Sequence, residues 1–367
     1  MADVIDFGKA GLAWTLPWDA DWVTAVAFLG PTRRVAAGNN LGQILVWDLP
    51  EKPGGSAPAP VRRLDGHTNV VSRLLSTADG RWLISASYDH TIRFWDMQAP
   101  AKGKVKVPLN ATLRADLIRR HSSKVPALVE VEVQTQAPAR VLAGHREWVT
   151  GLALSADQKL LVSGDDAGKV IFWDREAGKE LRRWAVKGWV YALALSPDGK
   201  QAAVTERVPL VFDSGRHAGV RLWDAATGKP QHDLGPLFKG MYLSAAAYSP
   251  DGKLLALGRG GEVDGPNGKV TLVDPKTGKK LRELAPGHLY GATDLAFHPA
   301  GKHLASAGRD TVVRLWEAAS GKLAKELGKP RGGQFKDWFH AVSFSADGRW
   351  LAAADMAGAV QVWSLAG

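Results

Sequence analysis

The chain has 367 residues, with 47 basic and 37 acidic side chains and therefore a formal net charge of +10. Apolar residues make up 45% of the chain and charged residues 23%, a globular balance that excludes wholesale disorder. It contains no cysteine, which excludes disulfides and thiolate metal sites.

The first ten residues carry Asp3, Asp6 and Lys9 and contain no apolar core of the kind a secretory signal needs. A run of 18 apolar residues is also absent from the sequence. We therefore expect a cytoplasmic protein that does not enter a membrane, unless the sequence is a piece of a longer exported chain.

One dipeptide pattern recurs along the chain and marks the end of a repeated unit. Its seven copies are Trp47-Asp48, Trp95-Asp96, Trp173-Asp174, Trp223-Asp224, Val273-Asp274, Trp316-Glu317 and Trp363-Ser364. Successive copies are 48, 78, 50, 50, 43 and 47 residues apart. Apart from the second interval, this matches a four-stranded propeller blade of about 40 to 45 residues with modest loop insertions.

Within a unit, alternating strands and tight turns follow each other in a fixed order. Each unit begins with an inner strand, of which 149–154 is an example. A turn follows it, which in the next unit is Ser196-Pro197-Asp198-Gly199-Lys200, and its Pro and Gly suit turn dihedrals. A second strand follows, for example 83–87, and then a third, for example 91–95, rich in β-branched and aromatic residues. A fourth, outer strand such as 179–184 closes the unit.

These linked features resemble the WD40 (Trp-Asp) repeat family across essentially the whole chain, in a form typical of bacterial repeats. Gly66-His67, Gly144-His145 and Gly287-His288 resemble the Gly-His element of that family. The resemblance implies an all-β, seven-bladed β-propeller with four antiparallel strands per blade. It also implies one unit over residues 1–367, with insertions at 50–60, 97–138, 206–218 and 259–268.

The family carries a hydrogen-bonded His, Ser, Asp and Trp set inside a blade. By position, two units match it, with His67, Ser85, Asp89 and Trp95 in unit two and His288, Ser306, Asp310 and Trp316 in unit six. Ala167, Ala357 and Leu41 stand where the Asp would be in three other units, which we expect to depend more on packing. Paired His and Asp also serve acid–base catalysis, but a set that satisfies its own buried members favours a structural role.

The two ends of the chain are predicted to complete each other. Residues 8–16 form an outer strand with no inner strands before it, and the last unit ends at Trp363 without an outer strand. Pairing of 8–16 beside 359–363 would close the ring and protect an exposed edge.

The largest insertion, 97–138, explains the interval of 78 residues and is basic. Its stretch Val129 to Val133 predicts an extra strand, and 114–120 predicts a short helix. The insertion is either a docking arm for an acidic partner or a flap packed on the blade edge. The basic residues of such an arm are Lys102, Lys104, Lys106, Arg114, Arg119, Arg120 and Lys124.

An aromatic residue recurs at the start of the inner strand, where it is expected to surround the top mouth of the central channel. The aligned residues are Trp22, Val70, Trp148, Trp189, Tyr242, Gly291 and Trp338, with Arg146 and His340 nearby. Clustered Trp and Tyr suit binding of an extended peptide, because they offer large apolar contact with a polar edge. The alternative is that they pack against a neighbouring blade's loop.

The sequence contains no phosphate-binding loop, no nucleophile elbow and no His-Glu-x-x-His helix, so no cofactor or metal is predicted. The pairs Asp165-Asp166 and Asp19 with Asp21 are more typical of solvated corners than of a cation site.

We expect a non-catalytic scaffold that binds a protein or peptide at the top face, as a monomer or as a subunit of a larger complex. The alternatives are a hydrolase or lactonase-like enzyme at the channel mouth, and basic-surface binding of nucleic acid or another anionic partner, which is not favoured.

Overall fold

The alternating apolar segments form β-strands, and the computed structural model describes them over residues 7–16, 18–54, 56–108, 130–207, 218–238, 242–260, 268–329 and 338–365. These residues also include two short 3-10 helices: Phe7–Lys9 precedes the first strand, and Gly235–Phe238 lies between two strands of the second half. In chain order the strands of the first half are β1 Gly11–Leu16, β2 Val23–Phe28, β3 Arg34–Asn39, β4 Ile44–Asp48, β5 Pro60–Leu64, β6 Val71–Ser76, β7 Trp82–Ser87, β8 Thr91–Asp96, β9 Gly103–Pro108, β10 Glu130–Gln136, β11 Arg140–Ala143, β12 Val149–Leu154, β13 Leu160–Asp165, β14 Lys169–Asp174 and β15 Lys179–Ala185. Those of the second half are β16 Trp189–Leu195, β17 Gln201–Arg207, β18 Ala218–Asp224, β19 Pro230–Asp233, β20 Leu243–Tyr248, β21 Leu255–Arg259, β22 Gly268–Asp274, β23 Lys279–His288, β24 Ala292–Phe297, β25 His303–Gly308, β26 Val312–Glu317, β27 Leu323–Gly328, β28 Phe339–Phe344, β29 Trp350–Asp355 and β30 Val360–Ser364.

These strands form seven sheets, which we number as blades 1 to 7 in chain order. From the inner to the outer strand the blades are β2-β3-β4-β5, β6-β7-β8-β11, β12-β13-β14-β15, β16-β17-β18-β19, β20-β21-β22-β23, β24-β25-β26-β27 and β28-β29-β30-β1. The inner strands contact one another around a closed ring, from β2 through β6, β12, β16, β20, β24 and β28 back to β2. The predicted seven-bladed propeller of antiparallel four-stranded blades is confirmed.

The turns between the first and second strands follow from their sequence. In the turn after β16, Ser196 donates a hydrogen bond from its hydroxyl to Asp198 (2.6 Å), and Asp198 accepts another from the Lys200 amide (3.1 Å). Gly199 has a φ of 71°, in the left-handed region where a side chain would be strained. The same hydroxyl–carboxylate pair recurs in four other blades, as Thr77 with Asp79, Ser155 with Asp157, Ser249 with Asp251 and Ser345 with Asp347.

Ring closure occurs as predicted, with a shorter strand. β1 pairs antiparallel with β30, so that Gly11 lies opposite Ser364 and Leu16 opposite Val360. Residues 8 and 9, which were expected to belong to this strand, lie in the 3-10 helix Phe7–Lys9 instead, and Phe7 is buried against the ring of His303 in blade 6.

The large insertion folds back as a hairpin onto blade 1. β10 pairs parallel with β5, and β9 pairs antiparallel with β10, so blade 1 has six strands. Val107 and Val133 are 3% exposed and join the core between blades 7 and 1. The described part of the insertion is therefore packed on the blade edge, and the predicted strand near Val129 to Val133 is confirmed as β10.

The core of the described molecule lies between blades. Seven apolar clusters each join residues of two neighbouring blades, for example Trp95 of blade 2 with Ala27 of blade 1, and Trp173 of blade 3 with Phe94 of blade 2. Among the described residues, no helix is long and apolar enough to cross a membrane.

Candidate functional site at the top face and channel mouth

The antiparallel order of each blade places two kinds of connection on one end of the ring, which we call the top face. These are the connections from an outer strand to the next inner strand, and those from the second to the third strand of a blade. The backbone confirms the alignment of the aromatic position: in blade 2 the amide of Tyr88 donates to the carbonyl of Val70, and in blade 3 the amide of Asp166 donates to that of Trp148. The same bond joins Gly260 to Tyr242 and Met356 to Trp338.

Three of the aromatic residues are exposed at this position. Trp22, Trp148 and Trp189 are 45%, 46% and 41% exposed, whereas the other twelve Trp of the chain are buried or half-buried. They lie in blades 1, 3 and 4, with the half-buried Val70 of blade 2 between the first two. An arc of apolar side chains therefore faces solvent on the top of four consecutive blades.

The aromatic position also packs against the preceding blade. Trp148 stacks on Tyr88 with ring centroids 4.6 Å apart and planes 4° from parallel. The guanidinium of Arg207 lies 5.2 Å from the ring centre of Tyr242, and that of Arg309 lies 4.3 Å from the ring centre of Trp338. Tyr242 and Trp338 are half-buried by this packing. The packing predicted as an alternative therefore applies to these two residues, whereas the exposed Trp residues remain candidates for peptide binding.

The two polar residues predicted beside the aromatics differ in accessibility. Arg146 is exposed on the connection that leads into blade 3. His340 lies on the inner strand β28, and its Nε2 atom is shielded from solvent without a hydrogen-bond partner among the described residues. Burial, with Arg309 and Arg73 nearby, lowers the pKa of His340 to about 4, so the imidazole is neutral at pH 7.

A second feature of the inner strands is a set of hydroxyl groups two residues after the aromatic position. Each donates to a backbone carbonyl at the start of the next blade's inner strand, and so joins the two blades. The bonds run from Thr24 to Val71 (2.7 Å), Ser72 to Val149 (2.5 Å), Thr150 to Val190 (2.6 Å), Thr293 to Phe339 (2.5 Å), and Ser244 to Ala292. Tyr191 and His340 occupy this position in blades 4 and 7. We did not predict this feature, although Ser or Thr at one register in five of seven units was the signal for it.

The two predicted hydrogen-bonded sets are present in blades 2 and 6. In blade 2, the His67 Nδ1 atom lies 2.7 Å from Asp89, its Nε2 atom lies 2.7 Å from the Ser85 hydroxyl, and Trp95 donates to that hydroxyl (2.9 Å). In blade 6 the corresponding distances are 2.8 Å from His288 to Asp310, 2.7 Å from His288 to Ser306 and 2.9 Å from Trp316 to Ser306.

A third complete set occurs in blade 3. The prediction that this blade lacks the Asp and depends more on packing is therefore wrong. His145 lies 2.7 Å from Asp165 and 2.7 Å from Ser163, and Trp173 donates to Ser163 (2.8 Å). Asp165 replaces the carboxylate missing at Ala167 because residues two apart on a strand share a face, which places Asp165 beside Ser163. Asp165 is fully buried in this set and is not a solvated corner.

The electrostatics of these sets favour a structural role. Burial lowers the pKa of His67 and of His288, and the bonds to His288 and Arg314 outweigh burial and lower the pKa of Asp310 to about 2. A neutral imidazole thus lies between a carboxylate and a hydroxyl that are both engaged, and the imidazole rings are buried. In blade 2 the side chains of His67 and Asp89 are 0% and 5% exposed, so the pair is largely closed to a substrate.

The basic insertion is only partly described. Lys104 pairs with Glu132 (2.8 Å) and Lys106 lies 3.8 Å from Glu130 across the hairpin, so two of its charges are locally balanced. Lys102 is exposed. The predicted helix and the remaining basic residues, Arg114, Arg119, Arg120 and Lys124, lie outside the described residues, as do most of the top insertions at 208–217 and 261–267.

Comparison with known proteins agrees with this architecture. Four segments, residues 58–96, 136–174, 278–317 and 331–364, match the model of the WD domain, G-beta repeat. The small ribosomal subunit protein RACK1y of Oryza sativa subsp. japonica is 25% identical over 97% of this chain and 96% of its own length. The target of rapamycin complex subunit wat1 of Schizosaccharomyces pombe is 25% identical over 64% of this chain and 73% of its own length. The small ribosomal subunit protein RACK1 of Candida albicans is 25% identical over 83% of this chain and 96% of its own length.

These relatives are named as subunits of assemblies and not as enzymes, in agreement with the expectation of a non-catalytic protein. They are eukaryotic, so they give no support to the expected bacterial type of repeat. Four segments of this seven-bladed propeller thus match the WD repeat model, and the chain is similar to WD40 repeat proteins.

Proposed function

We propose that this protein is a non-catalytic interaction scaffold that binds an extended segment of a partner protein on its top face. The observation that carries the proposal is the exposure of Trp22, Trp148 and Trp189 at one register position, in a protein whose other Trp side chains are buried or half-buried. Exposed aromatic side chains held on a rigid scaffold are the residues that most often dominate binding energy at interfaces.

Contacts with neighbouring residues hold the exposed Trp residues in place, which favours a role in binding. Trp148 is fixed by its stack on Tyr88, and Trp189 is the first residue of β16, paired with Arg207 of β17. Leu41, 59% exposed, follows Asn40, whose amide donates to the carbonyl of Trp22. Little conformational entropy is lost when a partner covers side chains that are already ordered.

Polar groups surround the apolar arc. Arg146, Glu147 and Lys187 are exposed beside Trp148 and Trp189. An apolar centre with a mixed polar edge is the usual anatomy of a protein interface. The presence of both acidic and basic residues also argues against a nucleic-acid-binding surface, which requires an excess of basic residues along the contact.

An enzyme at the channel mouth would need acid and base groups that converge on one point. In the described structure, Asp294 is the single carboxylate that lines the channel, and no hydrogen bond joins it to His340. This arrangement supports the binding proposal.

The names of the relatives extend the proposal to assembly. The RACK1 proteins are named as small ribosomal subunit proteins and wat1 as a subunit of the target of rapamycin complex. We propose by analogy that this chain is a subunit of a larger cytoplasmic complex, with a protein as its direct partner.

Affinity capture with three forms of the protein tests the proposal. Wild type is compared with Trp148→Ala plus Trp189→Ala, and with a variant in which 109–129 is replaced by a short Gly-Ser linker. The linker variant keeps β9 and β10, because Val107 and Val133 belong to the core. Loss of a specific partner in the Trp variant alone supports the top face; loss in the linker variant alone transfers the site to the basic arm and contradicts the proposal.

The matched control is Leu181→Ala plus Leu281→Ala, which removes two equally exposed apolar side chains from the outer strands β15 and β23. Retention of the partner by this control shows that the effect belongs to the top face. We expect the double Trp variant to weaken binding by at least about thirtyfold, since hot-spot residues contribute about 2 kcal/mol or more.

A further inference from the structure

The central channel of the propeller contains a cavity of about 400 Å³, lined by the middle and the carboxyl-terminal ends of the inner strands. Its walls come from the inner strands of all seven blades and consist mainly of Ala, Leu, Val and Phe side chains. Among the lining residues of the described structure, two are charged, Arg73 of β6 and Asp294 of β24. This volume lies within the range of about 300 to 1,000 Å³ of small-molecule sites.

The two charged residues occupy the same register, three residues after the aromatic position. The other five residues at this register are small, namely Ala25, Gly151, Ala192, Ala245 and Ala341. Blades 2 and 6 lie across the ring from each other, since at least two blades separate them in either direction. The register thus places one cation and one anion at one depth on opposite sides of an apolar channel.

Neither charge is neutralised by the other. Arg73 and Asp294 form no ion pair with each other in the described structure. Burial raises the pKa of Asp294, and the positive charge of Arg73 opposes that rise without cancelling it. The Arg73 guanidinium makes one hydrogen bond to the described protein, from Nη1 to the carbonyl of Ser72 (3.1 Å). The Asp294 Oδ2 atom accepts from the Val342 amide (2.9 Å), which fixes the carboxylate at the channel wall. Both groups therefore retain hydrogen-bonding capacity toward the channel.

Charges in an apolar enclosure are costly unless a partner compensates them. Ordered water is one such partner, but water supplies no charge to either side. A molecule with an anionic end and a cationic end compensates both at once, and its apolar middle matches the Ala and Leu walls. We propose that the channel is a binding site for a small zwitterion, with its carboxylate on Arg73 and its ammonium group on Asp294. This site is separate from the top-face surface and does not depend on the proposed scaffold function.

A series of ω-amino acids tests the site, because it varies the separation between the two charges. Glycine, γ-aminobutyric acid and ε-aminocaproic acid are titrated into the purified full chain by isothermal calorimetry, with thermal unfolding as a second readout. Caproate and hexylamine, which carry one charge each, are the matched controls. We expect one member of the series to bind with one site per chain, at least about tenfold more tightly than either control.

Two variants locate the binding. Arg73→Gln removes the cation, and Asp294→Asn removes the anion while keeping an oxygen for the Val342 amide. We expect each to weaken binding by at least about tenfold, and Arg146→Gln on the outer rim to leave it unchanged. The proposal is overturned if no zwitterion binds wild type, if the singly charged compounds bind as tightly, or if both channel variants bind normally. The wild-type comparison with caproate and hexylamine decides the matter even if a variant does not fold.

Discussion

The Ser163→Ala substitution tests the role of the hydrogen-bonded sets quantitatively. Ser163 is fully buried, accepts from the Trp173 indole (2.8 Å) and contacts the Nε2 atom of His145 (2.7 Å). Removing its hydroxyl leaves two buried polar atoms without a partner, and water cannot reach them. At about 1 to 3 kcal/mol for each unpaired group, we expect the free energy of unfolding to fall by about 2 to 6 kcal/mol.

Blade 1 offers the reverse experiment at the aligned position. Ala37 stands ten residues before Trp47, as Ser163 stands before Trp173, and the Trp47 indole nitrogen is buried without a hydrogen-bond partner among the described residues. Ala37→Ser supplies that partner, so we expect a gain of about 1 kcal/mol. Urea unfolding followed by Trp fluorescence measures both changes. The reasoning is refuted if Ser163→Ala costs less than about 1 kcal/mol, or if both substitutions destabilise equally.

Three further predictions concern stability. Burial lowers the pKa of His288 in the folded state below its ordinary value of about 6.5, so the unfolded chain takes up the proton first and the free energy of unfolding falls as the pH drops below about 6.5. Asp310, whose pKa is lowered to about 2, adds a further loss below about pH 4. Urea midpoints across this range measure the slope, and a His288→Gln variant with an unchanged slope contradicts the assignment. Val107→Ala with Val133→Ala removes two buried methyl groups at each position and should cost about 3 kcal/mol, whereas a cost near zero would show that the hairpin does not support the fold. Thr150→Val removes the hydrogen bond to the Val190 carbonyl and should lower the free energy of unfolding by about 1 kcal/mol in the same assay. Unchanged stability would show that the inter-blade hydroxyl groups do not stabilise the fold.

The repeat pattern was sufficient to predict the architecture, because each blade repeats the same strands and turns, and six of the seven blades have a Trp near the end of the third strand. The predicted pairing of the two chain ends followed from counting strands, and β1 against β30 confirms it. A hydroxyl–carboxylate turn such as Ser196 with Asp198 is local, so sequence alone identifies it.

Features that depend on neighbouring blades were harder to predict. Asp165 was overlooked because the aligned position, Ala167, lacks a carboxylate, and only the strand geometry shows that the earlier residue shares a face with Ser163. The parallel pairing of β10 with β5 joins residues about 70 positions apart and crosses from one blade to another, which no local pattern indicates.

The candidate site was predicted by register but not by accessibility. One alignment column contains the exposed Trp22 and Trp189 and also the half-buried Trp338 beneath Arg309. Arg309 of the preceding blade covers Trp338, and a single alignment column does not show such a contact. Arg73 and Asp294 were not predicted, because a single charged residue in each of two blades breaks the repeat pattern and only the closed ring places the two around one channel.

Site-specific photocrosslinking tests the central claim, that the top face is the binding surface, most directly. A photoreactive phenylalanine is placed at Trp189 on the top face and, in a second protein, at Leu181 on an outer strand, two positions of similar exposure. We expect a discrete crosslinked partner from position 189 that is absent from position 181. A partner captured at 181 and not at 189 would contradict the account and place binding on the outer surface of the blades.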